Sequence, residues 1–145
     1  MTYKTHRTVS DVDCAYLAGV IDGEGCLNIS RRMPPKGVHY SYRPELIIAN
    51  TGLAWLHELG RTWGGRVHVT RKPHDAVRAA YALRLAAQDT FTAITLSLPY
   101  IRLKRYEAEL LLSFYETYAD KSDQRFADRE ELYTELVSRR KKTFR

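Results

Sequence analysis

The sequence from residue 16 to residue 26 is Tyr16-Leu-Ala-Gly-Val-Ile-Asp-Gly-Glu-Gly-Cys26. It predicts the second half of an α-helix that begins after Ser10, because serine is a favourable N-cap and Asp13, three residues later, completes a capping-box pattern. Asp11 and Asp13 also place negative charge at the positive end of this helix. Almost no polar side chain occurs between Asp13 and Asp22, so we expect the helix to be buried on most of its surface.

The end of this helix carries one carboxylate between two glycines. We expect Gly23 and Gly25 to end the helix through backbone angles that other residues avoid, which holds Glu24 at the helix tip. Two interpretations are open from the residue types alone. Glu24 is either an exposed glutamate at an ordinary helix C-terminus or a carboxylate placed there for chemistry.

The length and composition restrict the class of protein. A chain of 145 residues with a net charge of +6 predicts one globular domain that favours an anionic partner such as nucleic acid. Two cysteines, Cys14 and Cys26, do not make a disulfide framework, and their spacing does not match a zinc site. No apolar run is long enough to cross a membrane and no signal peptide is evident, so we expect an intracellular protein, cytoplasmic or organellar, without a membrane partner.

The remaining chain alternates between strand and helix patterns. Residues 26–32, 40–50, 66–72 and 78–85 alternate with period two, whereas residues 53–63 have helical spacing. Further helices are predicted after Asp89, from Arg102, and around residues 127–137, followed by a basic tail over residues 139–145. Up to residue 119 the predicted order is α-β-β-α-β-β-α-α. We divide the chain into a polar N-terminal segment (1–10), a main domain (11–119) and a charged C-terminal helix with its tail (120–145).

The nine residues from Leu17 to Gly25 closely resemble the LAGLIDADG signature of homing endonucleases. The differences are Val20 for leucine, Gly23 for alanine and Glu24 for aspartate. The resemblance extends over roughly residues 11–119 and implies an α+β fold. Its αββαββ core would carry a four-stranded antiparallel, saddle-shaped sheet, with extra helices at the C-terminus.

The signature occurs once in this chain. In the family, single-motif chains are homodimers, and a helix with small side chains needs a partner to pack against. We therefore expect a homodimer in which the two helices meet face to face. The predicted interface residues are Ala15, Tyr16, Ala18 and Gly19.

The resemblance also implies a catalytic site. It assigns metal coordination to Glu24, together with Gly23 beside it, and a basic role to Lys104 in Pro99-Tyr-Ile-Arg-Leu-Lys104. Asn50, near the end of the second strand, matches a polar amide expected next to the metal ligands. The implied metal is Mg²⁺, with Mn²⁺ as an alternative and Ca²⁺ expected to bind without supporting cleavage. For an isolated lysine, a surface residue at a helix start is the commoner case.

The outward faces of the four predicted strands carry side chains suited to recognition of bases in the major groove. An ordinary solvated sheet face is the alternative, and the resemblance favours contact with duplex DNA. The predicted DNA-binding residues are Asn28, Ser30, Arg32, Ser41, Arg43, Arg66, His68, Thr70, Lys72, Arg78 and Arg84.

The resulting hypothesis is a homodimeric, Mg²⁺-dependent homing endonuclease. It would cut a long, pseudo-palindromic duplex to leave staggered 3′ overhangs and so mobilise the intron that encodes it. The alternatives are a relative that binds without cutting, either an intron RNA maturase or a transcription regulator, and a plain dimeric structural domain. We expect Asp22 to have a structural role at the helix end, Trp55 and Trp63 to belong to the core, and His57 and His68 not to form a zinc site.

Overall fold

Helix α1 (Asp11–Glu24) begins at the predicted cap in a computed structural model that describes Thr2–Tyr3 and residues 8–143. The Ser10 hydroxyl accepts the backbone N–H of Asp13 across 3.1 Å, and the Asp13 carboxylate accepts the backbone N–H of Ser10 across 3.2 Å. The capping box is therefore confirmed. Cys14, Leu17, Ala18 and Ile21 fix the buried side of the helix.

Four long strands form the predicted antiparallel sheet of an α+β fold. They are β2 (Gly25–Arg32), β3 (Ser41–Asn50), β4 (Gly65–Arg71) and β5 (Ala80–Ala86), arranged in the order β4-β5-β3-β2. A further strand, β1 (Thr2–Tyr3), pairs with the start of β4 at the sheet edge and was not predicted within the polar segment 1–10. Residues 1 and 4–7 of that segment lie outside the described residues.

The helices agree with the predicted order but differ at their ends. They are α2 (Leu53–Trp63), α3 (Ala87–Ser97), α4 (Arg105–Glu116) and α5 (Gln124–Thr143), with a short 3₁₀ turn at Leu98–Tyr100. Asp89 lies in the first turn of α3 rather than at its cap. Helix α4 begins after Lys104 rather than at Arg102. Across the described residues, no helix combines the length and the apolar character needed to span a bilayer.

The core lies between one face of the sheet and the helices. Alternate residues of each strand enter it, as the period-two pattern predicts, and Trp63 is buried there while Trp55 is half-buried. The fully or almost fully buried side chains include Leu17, Ile21, Leu27, Ile29, Leu46, Ile48, Leu83, Leu85, Ile94, Leu111 and Phe114. The opposite face of the sheet is not covered by these helices.

Helix α5 lies along the outer edge of β2. Glu130 binds Arg31 near one end of the strand and Leu136 is buried. Arg140 contacts the Cys26 sulfur near the other end and also donates to Asn28 Oδ1 across 2.9 Å. Ten helical residues rise about 15 Å, close to the length of about five extended residues, so helix and strand match in extent. The helix predicted over 127–137 is therefore longer at both ends and takes in most of the predicted basic tail. Residues 144–145 lie outside the described residues.

Candidate functional site

The end of α1 turns directly into β2 at Gly25. This glycine has an extended backbone (φ −77°, ψ 144°), so the expected unusual backbone angle is not present. A Cβ at Gly25 would lie 2.7 Å from the Cα of Ile21, which no side chain tolerates. Gly23 remains helical within α1. The second glycine therefore allows the strand to start close against the last helical turn, with Glu24 exposed at the corner.

The carboxylate of Glu24 is held by Asn50. The Asn50 amide nitrogen donates to Glu24 Oε2 across 3.0 Å, and the Asn50 side-chain oxygen accepts the backbone N–H of Gly52 across 2.7 Å. The second bond fixes which end of the amide points at Glu24, because the oxygen is already used. The structure thus brings together the two residues that the sequence placed in one site.

Lys104 is also part of this corner. Its ammonium donates to the carbonyl oxygens of Ile21, across 3.0 Å, and of Gly25. Ile21 lies in the last turn of α1 and Gly25 directly follows the helix, at the end where the helix dipole favours a cation. The lysine is therefore half-buried and fixed beside Glu24 rather than free at the surface.

Asp22 supports the same arrangement from the other side. Its carboxylate accepts the backbone N–H groups of Arg102 and Lys104, each across 3.0 Å, and of Leu103 across 3.1 Å. These bonds satisfy the three backbone donors that come just before α4. The expected structural role of Asp22 is confirmed.

The predicted DNA-binding residues lie on the sheet face opposite the core, or in the hairpin beyond it. Asn28 and His68 are half-buried and the others are exposed. The alternation fails at one point: the register between β4 and β5 shifts between Val69 and Arg71, at Thr70. The hairpin loop between β4 and β5 contains Lys72 and Arg78. Both predicted strands were therefore too long at this end.

Two residues of this face were missed by the sequence analysis. Glu45 is buried among the strands, where Asn28 and Arg84 bind it. Arg140 reaches the face from α5 and contacts both Asn28 and the Cys26 sulfur. The parity of β3 places Glu45 on the polar face, which was the available signal. Nothing in the local sequence indicates where Arg140 lies.

A cavity of about 470 Å³ opens on this face. Its lining includes the cationic side chains of Arg43, Arg66 and Arg84 together with His68, and Asp89 lies at its wall. Burial raises the pKa of the Asp89 carboxyl, and the backbone N–H of Gly65 opposes that shift. The cavity therefore concentrates positive charge on one part of the sheet face. Most of the exposed charged residues on that face are arginines.

Comparison with solved structures identifies the architecture. The homing endonuclease I-CvuI, crystallised with its target in the presence of calcium, matches with a TM-score of 0.73 at 22% identity, over 88% of this chain and 81% of that chain. The archaeal intron-encoded homing endonuclease I-Vdi141I, complexed with DNA, matches with a TM-score of 0.72 at 14% identity, over 88% and 84%. The LAGLIDADG homing endonuclease I-LtrWI, bound to target DNA, matches with a TM-score of 0.63 at 18% identity, over 90% of this chain and 46% of that chain. The chain has the LAGLIDADG homing-endonuclease fold.

Comparison with protein-family models gives no match, and neither does comparison with curated protein sequences. The LAGLIDADG fold is therefore established here by structure, while the sequence signature in α1 agrees with it.

The signature helix of this LAGLIDADG fold has an exposed face. Val12 is 78% exposed and Tyr16 56% exposed, and the Tyr16 hydroxyl accepts the indole N–H of Trp55 across 2.9 Å. Ala15 and Gly19 are exposed beside them. Ala18 is fully buried inside the chain, so its predicted place at the interface is corrected: it packs into the core.

The LAGLIDADG fold of one chain does not by itself make a metal cage. Among the described residues there is no group of three or more histidine, cysteine, aspartate or glutamate side chains placed to hold a metal ion. Glu24 offers an exposed, oriented carboxylate, the oxygen ligand that Mg²⁺ prefers, and a complete site would need ligands from a second chain or from substrate.

Proposed function

We propose that this chain is a divalent-metal-dependent endonuclease that cuts duplex DNA as a homodimer. The observation that carries the proposal is the corner at the end of α1. There Glu24 is oriented by Asn50, and Lys104 is bonded to carbonyl groups on both sides of Glu24 in the sequence. Phosphodiester hydrolysis uses a carboxylate, an orienting group and a cation, and these three side chains are of those kinds.

The exposed face of α1 supports the homodimer. A Cβ at Gly19 or at Gly23 would meet nothing within 4 Å in the described part of the chain, so packing within one chain does not explain either glycine. Their absence of side chains suits close approach of a second backbone. Val12 and Tyr16 would supply apolar area to the same contact. The match over 46% of I-LtrWI also supports pairing, because this chain corresponds to about half of that longer chain.

Pairing two chains along α1 would bring two copies of Glu24 together. Two carboxylates, with Gly23 beside each, and the scissile phosphate would provide oxygen ligands for Mg²⁺, or for Mn²⁺ in its place. When bound, the metal would activate water and stabilise negative charge at the phosphate. Calcium is expected to occupy the site without supporting cleavage.

The residues of this chain would have distinct tasks at the cut. Glu24 binds metal, and Asn50 keeps its carboxylate in one orientation. Lys104 places a positive charge next to the reacting phosphate and orients water, because its ammonium has a third N–H beyond the two bonds to carbonyl groups. Asp22 acts only through Lys104, by fixing the segment that carries it.

The sheet face would bind the duplex. Arginine, asparagine and serine side chains on β2 to β5 can donate to base edges and to phosphates. Two such faces related by the dimer axis would recognise a long, pseudo-palindromic site. A homing endonuclease of this kind, encoded in an intron or as a free-standing gene, would leave staggered 3′ overhangs and so promote copying of its own gene.

The test is cleavage of a randomised duplex library, with Mg²⁺ in one reaction and Ca²⁺ in the other. The proposal predicts fragments with short 3′ overhangs in Mg²⁺ alone, centred on a pseudo-palindrome. Retention of a specific site without cutting in either metal would support a transcription regulator instead. Failure to retain duplex DNA, with retention of a host intron transcript, would support an RNA maturase.

A further inference from the structure

Glu45 is the single acidic residue in the four long strands. It lies on the sheet face that carries the arginines, yet it is only 2% exposed. A buried carboxylate is costly unless charged or hydrogen-bonding partners surround it. The hydrogen-bond partners of Glu45 therefore indicate its role.

The partners of Glu45 come from the strands on both sides. Asn28 on β2 is directly opposite Glu45, and its amide nitrogen donates to Oε1 across 3.0 Å. Arg84 on β5 is diagonal to it and donates from Nη1 to Oε2 across 3.2 Å and to Oε1 across 3.4 Å. One carboxylate thus ties two predicted base-contacting side chains to the central strand.

A buried ion pair is weak evidence for a stabilising role. Replacement of a buried ion pair by apolar side chains of similar volume is often neutral or stabilising. The effect of Glu45 is geometric: it holds one terminal nitrogen, Nη1, of the Arg84 guanidinium, whose side chain is still 43% exposed and lines the cationic cavity. The other N–H groups of the guanidinium remain available to a ligand.

The fixed arrangement extends to the C-terminal helix. Asn28 donates to Glu45 with its nitrogen and accepts from Arg140 with its oxygen, across 2.9 Å. The amide orientation is thereby determined from both ends. Arg140, Asn28, Glu45 and Arg84 form one connected set across α5, β2, β3 and β5.

We propose that Glu45 is a positioning residue that sets base specificity, by holding Arg84 so that it recognises guanine at one base-pair position in each half-site. Arginine pairs with the O6 and N7 atoms of guanine through two N–H groups in a fixed geometry. An untethered arginine can turn to a phosphate and lose that preference, whereas a tethered one has a reduced choice of acceptors. The inference rests on the proposed function, since it requires that this face binds duplex DNA.

The experiment compares binding to a panel of duplexes that carry every single-base substitution in the site selected by the wild-type protein. Calcium replaces magnesium so that no duplex is cut. The variants are Glu45→Gln, Arg84→Ala and the double variant. Glu130→Gln is the matched control, because Glu130 also pairs with an arginine, Arg31, but on the core side of the sheet beside α5.

We expect Glu45→Gln and Arg84→Ala to lose preference for guanine at the same position of each half-site, by about 5- to 100-fold. The double variant should lose no more than either single variant, since the two residues act as one unit. Glu130→Gln should leave the whole panel unchanged. A melting curve for each variant separates altered recognition from loss of folding.

If Glu45→Gln does not fold, Glu45→Met fills the same volume without a charge and should show the same loss of preference. Three results would overturn the proposal. The first is an equal change in affinity at every position of the site, and the second is an unchanged preference for bases in a folded Glu45 variant. The third is a preferred base other than guanine at the position that Arg84→Ala affects. If the wild-type protein selects no duplex site at all, that result contradicts the proposed function itself. It is distinguishable from the results that contradict only the role of Glu45.

Discussion

Asp22 and Lys104 bind to each other's chain segments. The Asp22 carboxylate accepts the backbone N–H of Lys104 across 3.0 Å, and the Lys104 ammonium donates to the carbonyl of Ile21, the neighbour of Asp22, across 3.0 Å. The two bonds fasten the C-terminal end of α1 to the segment before α4, which is 82 residues away in the sequence. The position of the candidate catalytic lysine therefore depends on Asp22.

Replacement of Asp22 by alanine should destabilise the fold. Three backbone N–H groups lose a charged acceptor, so we expect the free energy of unfolding to fall by about 1–3 kcal/mol. Urea denaturation measures the change. Asp128→Ala is the control, because Asp128 accepts one bond from Gln124 within α5 and its loss should matter little. Equal stability of the Asp22 variant and the wild type would contradict the role given to Asp22.

The Glu24→Gln variant should bind its DNA site and fail to cut it. The amide keeps the size of the side chain and removes the charge that holds a metal ion. Gel shift in Ca²⁺ and cleavage in Mg²⁺ measure the two properties separately. Glu58→Gln, an exposed position on α2, should retain both. Loss of binding together with cleavage would place Glu24 in folding rather than in catalysis.

The Asn50→Ala variant should cut slowly and need more metal. Groups that orient a metal ligand typically contribute 10- to 100-fold to affinity or activity, so we expect a loss of about that size. Single-turnover cleavage at increasing Mg²⁺ concentration is the measurement. Thr51→Ala changes the adjacent exposed residue and should behave as the wild type. A rate unaffected by the loss of the Asn50 amide would remove this residue from the site.

The Gly19→Glu variant should be a folded monomer. Within one chain a Cβ at this position has open space, and glutamate favours the helix more than glycine does by up to about 1 kcal/mol. Two such side chains facing each other would block close approach of the helices. Sedimentation equilibrium gives the oligomeric state and circular dichroism the folding. A dimer that survives this substitution would exclude the proposed interface.

Asp89 and Asp120 should give stability changes with opposite dependence on pH. Burial raises the pKa of Asp89, so the folded state holds more protons than the unfolded state just above the ordinary pKa, and stability falls as pH rises through that range. The Ser122 hydroxyl and backbone N–H lower the pKa of Asp120, so its stabilising effect is present above the ordinary pKa and lost as pH falls. Melting temperatures between pH 3 and pH 7 test this. As pH rises, the melting temperature of the Asp89→Asn variant should increase relative to that of the wild type. The melting temperature of the Asp120→Asn variant should decrease relative to that of the wild type.

Much of the framework follows from local patterns. The capping box at Ser10 depends on residues three positions apart, and the strands follow from alternation against a buried face. Glu24, Asn50 and Lys104 were brought together only through the resemblance to a known signature. The hydrogen bonds place Asn50 against Glu24, and Lys104 against the carbonyls of Ile21 and Gly25, and the catalytic roles of these residues stay a prediction.

The features that could not be predicted depend on contacts between distant parts of the chain. The bond between Arg140 and Asn28 joins residues 112 positions apart, and no periodicity carries that information. The use of Gly25 is similar, because a clash with Ile21 becomes visible only when the strand is placed against the helix. Strand β1 is two residues long and too short for any pattern to indicate.

The segments near the two chain ends affect the tendency of the protein to self-associate at high concentration. Thr2 and Tyr3 pair with the first residues of β4, and α5 lies alongside β2, so each border of the sheet has a neighbour from the same molecule. An edge strand with unpaired backbone groups can pair with a strand of another molecule, which leads to aggregation. Removal of either end, by proteolysis or by truncation, would therefore promote self-association through the backbone even where the candidate site at Glu24 remains intact.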